Sequence, residues 1–162
     1  MKAALTTMAL FAAVTGQAVA QSSPSTATFV KNAALSDMLE IRSSKLVAPN
    51  ADRDTKPFAQ RMIKDHTKTS SQLKSLIQKG AVNAKLPTKL DAEHQAKLNR
   101  LQSLSGKRLD AAYDRMQVQA HEQAVSLFTR YARNGQNPAL RRWASNTLPK
   151  LRHHLSMAQQ LR

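Results

Sequence analysis

Apolar residues recur at three- and four-residue spacing along most of the chain, and that period reads as helix. The clearest stripe is the last: Leu140, Ala144, Leu148, Leu151, Leu155, Ala158 and Leu161, with Trp143 beside it. Leu109, Tyr113, Met116, Ala120, Ala124, Leu127 and Tyr131 form another, flanked by His121 and Phe128. Phe58, Met62, His66, Leu73, Leu76 and Ile77 give a third, and Phe29, Ala33, Ile41, Ser44 and Ala48 a fourth. Helix-stopping residues separate them. Thr26 or Thr28 caps a first helix to about Val47, ended by Pro49-Asn50. Asp52 or Asp54 caps a second, which tolerates Pro57 in its first turns and runs to Gly80. Leu86-Pro87-Thr88 and Ser105-Gly106 bracket a shorter helix from about Leu90 to Leu104. The run Asn134-Gly135-Gln136-Asn137-Pro138 then divides a long helix, Lys107–Arg133, from a last one that starts at Ala139 and continues almost to Arg162. No segment alternates with period two, so strands are not expected.

Four long helices and a short crossover define an all-α four-helix bundle: two antiparallel pairs joined through residues 81–106. The second helix and Lys107–Arg133 then run parallel from one end. His66 and His121 each lie about 14 residues in, roughly 21 Å down at ~1.5 Å per residue. The returning last helix brings His154 to a comparable height, inside its own stripe. Asp37 and Glu40 fall on the core face of the first helix, where an unpaired charge is costly. Side chains lean toward their helix N-terminus, so the two acids tilt toward His66 and His121. These five residues are the candidate metal ligands. Asp65, Asp110, Asp114 and Tyr113 are candidates to orient them, while His94 and His153 read as solvated.

The ends change the setting. Lys2, an apolar run from Ala3 to Val14, and Ala18-Val19-Ala20 before Gln21 describe a cleaved secretory signal over residues 1–20. That run is shorter than the roughly 20 residues a spanning helix needs. Residues 21–26, a polar stretch with Pro24, read as a disordered leader, and 27–162 as the bundle domain. The expected location is the bacterial periplasm or cell envelope, with the mature protein soluble. With no cysteine in the chain, disulfides, thiolate metal sites and cysteine nucleophiles are excluded. The net charge is +15, of which the signal segment carries only Lys2. It favours an anionic membrane surface or envelope polymer as neighbour. Export makes nucleic acid an unexpected partner. Arg141, Arg142, Lys150, Arg152 and Arg162 line the outer face of the last helix, as a patch of that kind or simply a solvated face.

The runs Phe58-Ala59-Gln60-Arg61-Met62-Ile63-Lys64-Asp65-His66-Thr67, Leu109-Asp110-x-x-Tyr113 with His121, and Leu148-Pro149-x-Leu151-x-x-His154-Leu155 resemble the domain of unknown function 4142 family. The resemblance spans about Phe29 to Leu161. It implies a ferritin-like helix bundle, an envelope location and a first-helix glutamate, here Glu40, and no established reaction. Members often carry an outer-membrane label, but a barrel needs many alternating strands and none can be drawn.

Ferritin-like di-iron sites use Glu-x-x-His on two helices. Here Ile63, Val118 and Leu151 stand three residues before the histidines, so the di-iron motif is absent. Four glycines leave no phosphate-binding loop, and no serine sits in a nucleophile elbow. The expectation is therefore non-enzymatic: an envelope protein whose buried His/carboxylate cluster pins helix register. Two alternatives stay open. The three histidines could hold one transition-metal ion, zinc, copper or iron, with Zn²⁺ or Cu²⁺ the best match to the ligand type; or the basic face could bind anionic envelope components.

Overall fold

Ser25 begins the first helix because its hydroxyl accepts from the Thr28 amide, satisfying one of the donors a helix start leaves open. The structure is a computed structural model describing residues 23–161. The expected signal segment lies outside the described residues, and Ser25 and Thr26 belong to the cap and first turn rather than to a leader. Five helices follow: α1 (Thr26–Val47), α2 (Thr55–Gln78), α3 (Ala92–Gln102), α4 (Gly106–Asn134) and α5 (Pro138–Ala158). Asp52 serves α2 from outside, accepting from the amides of Asp54 and Thr55, while Asp54 at the cap position makes no side-chain bond. Gly80, at φ +71°, closes α2 with its amide on the Ile77 carbonyl. Asp91 caps α3 and Asn137 caps α5. The described residues contain no strand.

Cross-helix hydrogen bonds fix the directions. Thr26 with Tyr131 and Ser44 with Tyr113 make α1 antiparallel to α4. Asp37 with His66 and Ser70 sets α1 against α2, and Gln72 with Trp143 sets α2 against α5. Thus α2 and α4 run parallel, and α3 crosses over α1 and α4.

Two apolar cores stack along the bundle. The first gathers Phe29, Phe128, Tyr131, Trp143, Leu140 and Leu148; Phe29 stacks on Tyr131 at 3.9 Å between ring centres and meets Phe128 edge-on at 5.0 Å. The second holds Val47, Phe58, Met62, Leu101, Tyr113 and Ala158. Both tyrosines are fully buried with their hydroxyls bonded inside, so neither keeps the solvated tip common for core tyrosines.

The buried face of α4 is rotated from the apolar stripe read in the sequence. Asp110, Tyr113, Asp114, Gln117, Val118, His121, Ala124, Phe128 and Tyr131 are buried, whereas Leu109, Met116, Ala120 and Leu127 are half-covered. Met116 packs with Leu39, Leu90 and Leu98 as well as against the second core, because α3 lies over that flank. Ile41 and Ala48 of α1 are likewise only half-buried, with Leu39, Ser43 and Val47 taking the inner positions.

Gly135 ends α4 with its amide on the Tyr131 carbonyl at 2.8 Å, and a Cβ there would stand 2.5 Å from the Tyr131 ring. That ring is held on its far side by Phe29 and at its tip by Thr26. Gly135→Ala should therefore destabilise the protein by ~1–3 kcal/mol in denaturant unfolding, as overpacking does. An unchanged midpoint would show that Tyr131 can yield.

Candidate metal centre

Between the two cores lies a polar layer. His66 of α2, His121 of α4 and His154 of α5 are 3 %, 1 % and 1 % exposed. Their ring centres stand 5.4–5.6 Å apart, and one nitrogen of each ring lies within 4.8 Å of the others. Each histidine occupies the inward position of its helix, so the bundle's register alone brings them together.

Each ring is held by one nitrogen. His66 Nδ1 donates to Asp37 Oδ1 at 2.7 Å, and Ser70 donates to the other oxygen of Asp37 at 3.1 Å. His121 Nδ1 donates to the Gln117 carbonyl, one turn earlier, at 2.9 Å. His154 Nε2 donates to Asp65 Oδ2 at 3.0 Å, and Lys150 holds Asp65 Oδ1 at 3.0 Å. A carboxylate oxygen or a carbonyl can only accept, so in the neutral rings these nitrogens carry the hydrogen. The remaining nitrogens, His66 Nε2, His121 Nε2 and His154 Nδ1, therefore bear lone pairs. They find no hydrogen-bond partner among the described residues.

Burial and charge set the protonation. Burial pushes His121 down to about 4, helped by the charge of His66. Burial and the same charge take His154 down to about 3, against the pull of Asp65. Burial would lower His66 too, but the hydrogen bond and charge of Asp37, with Glu40 and Asp65 behind it, raise it above the ordinary value. Burial lifts Glu40 above the usual carboxylate range despite His66. Asp65 is held low because its bonds to Lys150 and His154 outweigh burial.

The other sequence candidates separate. Asp37 meets His66 through Nδ1, and Asp65 reaches His154 rather than its neighbour His66. Glu40, 1 % exposed, stands outside the compact group of three nitrogens, with Oε2 unpartnered. Asp110, Tyr113 and Asp114 do not orient the histidines. They lie about two or more turns before His121 and serve the start of α2 and the last turn of α1: Asp110 accepts from the Asp52 amide, Asp114 from Thr55, and Tyr113 pairs with Ser44. Burial takes Asp114 up to about 6 there. His153 is exposed as expected, whereas His94 is half-buried against its capping Asp91. Sequence reasoning missed Gln117, Ser70 and the role of Lys150 with Asp65. Gln117 and Ser70 each sit four residues from a cluster histidine, a spacing that marks one helix face.

The chain belongs to the DUF4142 family, a domain of unknown function, whose family model matches residues 12–161. No curated protein and no solved structure matches it.

The histidines make apo stability depend on pH. His121 and His154 have folded values far below 6.5, so acidification protonates the unfolded chain first and removes stability between about 6.5 and about 4. His66, raised, adds stability that is fully present below 6.5 and fades as pH climbs through its folded value. Glu40, also raised, offsets part of the acid loss by gaining its proton in the folded state. The charged groups facing the three rings are Asp37 and Glu40 from α1, Asp65 from α2 and Lys150 from α5. Denaturant titrations in chelator should show a loss of a few kcal/mol from pH 6.5 to 4. A flat profile over that range would mean the rings protonate freely in the folded state.

Proposed function

We propose that this is an exported envelope protein that binds one transition-metal ion through His66 Nε2, His121 Nε2 and His154 Nδ1. One observation carries the reading: three histidines converge with one buried, unpartnered nitrogen each, a lone pair whenever the ring is neutral, while the opposite nitrogen of every ring is tied to an acceptor. A polar network that only pins register accounts for the tied nitrogens. It leaves the inward three idle, and idle buried acceptors are costly. A cation resolves that cost, and anchoring of each ligating imidazole by an outer acceptor is how metal-binding histidines are held.

The donor set selects the ion class. Neutral imidazoles without thiolate suit Zn²⁺ or Cu²⁺. His66, His121 and His154, each with a ligand atom within 4.8 Å of the others, are the residues that would hold such an ion. Asp37 and Asp65 supply negative charge just outside it. His66, the ring with the raised affinity for a proton, is where metal and proton compete.

Export rests on the leader read from residues 1–20, and no helix among the described residues is long and apolar enough to cross a membrane. Protein made with its own leader, untagged and recovered from the periplasmic fraction, should begin at Gln21 and take up one equivalent of Zn²⁺ or Cu²⁺. His121→Ala should abolish the uptake. Absence of stoichiometric metal after reconstitution, or uptake undiminished in His121→Ala, would refute the metal reading.

A further inference from the structure

The polar layer holds more than three histidines. The Ser44–Tyr113 and Thr26–Tyr131 bonds fix the register of α1 against α4 and set Glu40 opposite Gln117. One turn away on the same two helices stand Asp37, which grips His66, and His121. One turn the other way, Ser44 and Tyr113 close the layer by bonding each other at 2.7 Å. Glu40 and Gln117 therefore form a floor directly beneath the histidines.

That floor is unsatisfied. Gln117 is fully buried with its side chain against Glu40, near enough for a weak bond that draws the Glu40 carboxyl down, yet neither its amide nitrogen nor its amide oxygen nor Glu40 Oε2 has a partner in good hydrogen-bond geometry among the described residues. Besides Gln117, the groups that act on Glu40 are His66, Asp37 and Tyr113, the last already paired with Ser44. Two acceptors and one donor are left idle beside three converging lone pairs. Glu40 also stands outside the 4.8 Å group that the histidine nitrogens form, set back from a ligand's position.

Resting on the metal reading above, we propose that the centre is coordinatively open: its fourth ligand is a water molecule held by Glu40 and Gln117, exchangeable for a small anion. A zinc site with three protein ligands keeps water in the fourth position, whereas a structural site closes it with a fourth side chain. The metal-bound water donates to Glu40 Oε2 and to the Gln117 amide oxygen. The Gln117 amide nitrogen is the donor available to an anion that displaces it. Burial between two apolar cores restricts the exchangeable ligand to a few atoms, such as azide.

The probe is Co²⁺, whose visible spectrum reports coordination, titrated with azide in the full-length mature protein. Wild type should show a saturable spectral change. Glu40→Gln should keep stoichiometric cobalt and bind azide about tenfold more tightly, because a negative neighbour of the anion and an acceptor for the competing water are both lost. Gln117→Leu should keep cobalt and bind azide more weakly, since the anion's donor is gone. A purely structural role for the two residues would not move azide affinity in opposite directions. Cobalt bound with an azide-silent spectrum would overturn the open position alone. So would a fall in cobalt affinity in Glu40→Gln beyond the ~100-fold ceiling of an outer-sphere change. Wild type that takes up no cobalt would overturn this proposal together with the metal reading.

Discussion

Each imidazole in the buried layer is fixed by one hydrogen bond on its outward nitrogen, and the chemistry of the inner three follows from that constraint. Were the acceptors hydroxyls, the rings could choose either tautomer and pair with one another. Asp37, Asp65 and the Gln117 carbonyl can only accept, which forces the hydrogen outward and leaves the lone pair inward on every ring that is neutral. The three acceptors come from α1, α2 and α4, and the rings from α2, α4 and α5. Each long helix therefore contributes to the layer, and a slip of any one would break it.

The layer's position magnifies the effect. Aromatic and aliphatic side chains pack above it around Phe29 and Trp143 and below it around Phe58 and Met62, so little solvent screening reaches the rings. One way outward that the hydrogen bonds trace is the chain His154–Asp65–Lys150, whose side chains are 2 %, 12 % and 44 % exposed in turn. In this setting two imidazoles stay neutral and the third carries the layer's affinity for positive charge. On the metal reading proposed above, a proton and a metal ion would be alternative occupants of one electrostatic need.

The helices were legible because their apolar positions keep a strict three-four period, and because serine, aspartate, asparagine and glycine stand where chains must start and stop. The histidine cluster was legible for a related reason: in a bundle, distance along a helix converts directly to height. Legibility failed where the deciding contact is tertiary. The face of α4 turned because α3 covers Met116, which no period on α4 alone encodes. Asp65 was a candidate to orient a histidine, but which ring it holds was hidden, because its partner His154 lies 89 positions away. Asp110 and Asp114 share the buried face of α4 with His121, yet they sit at the level where α2 begins and serve its first turn. Gln117 carries neither charge nor a familiar ligating group, so only its complete burial reveals it.

Anomalous diffraction from crystals of the zinc-loaded protein, collected on either side of the zinc absorption edge, tests the central claim most directly. The account predicts one peak per chain, bonded to His66 Nε2, His121 Nε2 and His154 Nδ1, with Asp37, Asp65 and the Gln117 carbonyl still on the outer nitrogens. A layer whose inner nitrogens are bridged by water, with zinc found only on surface groups, would contradict it.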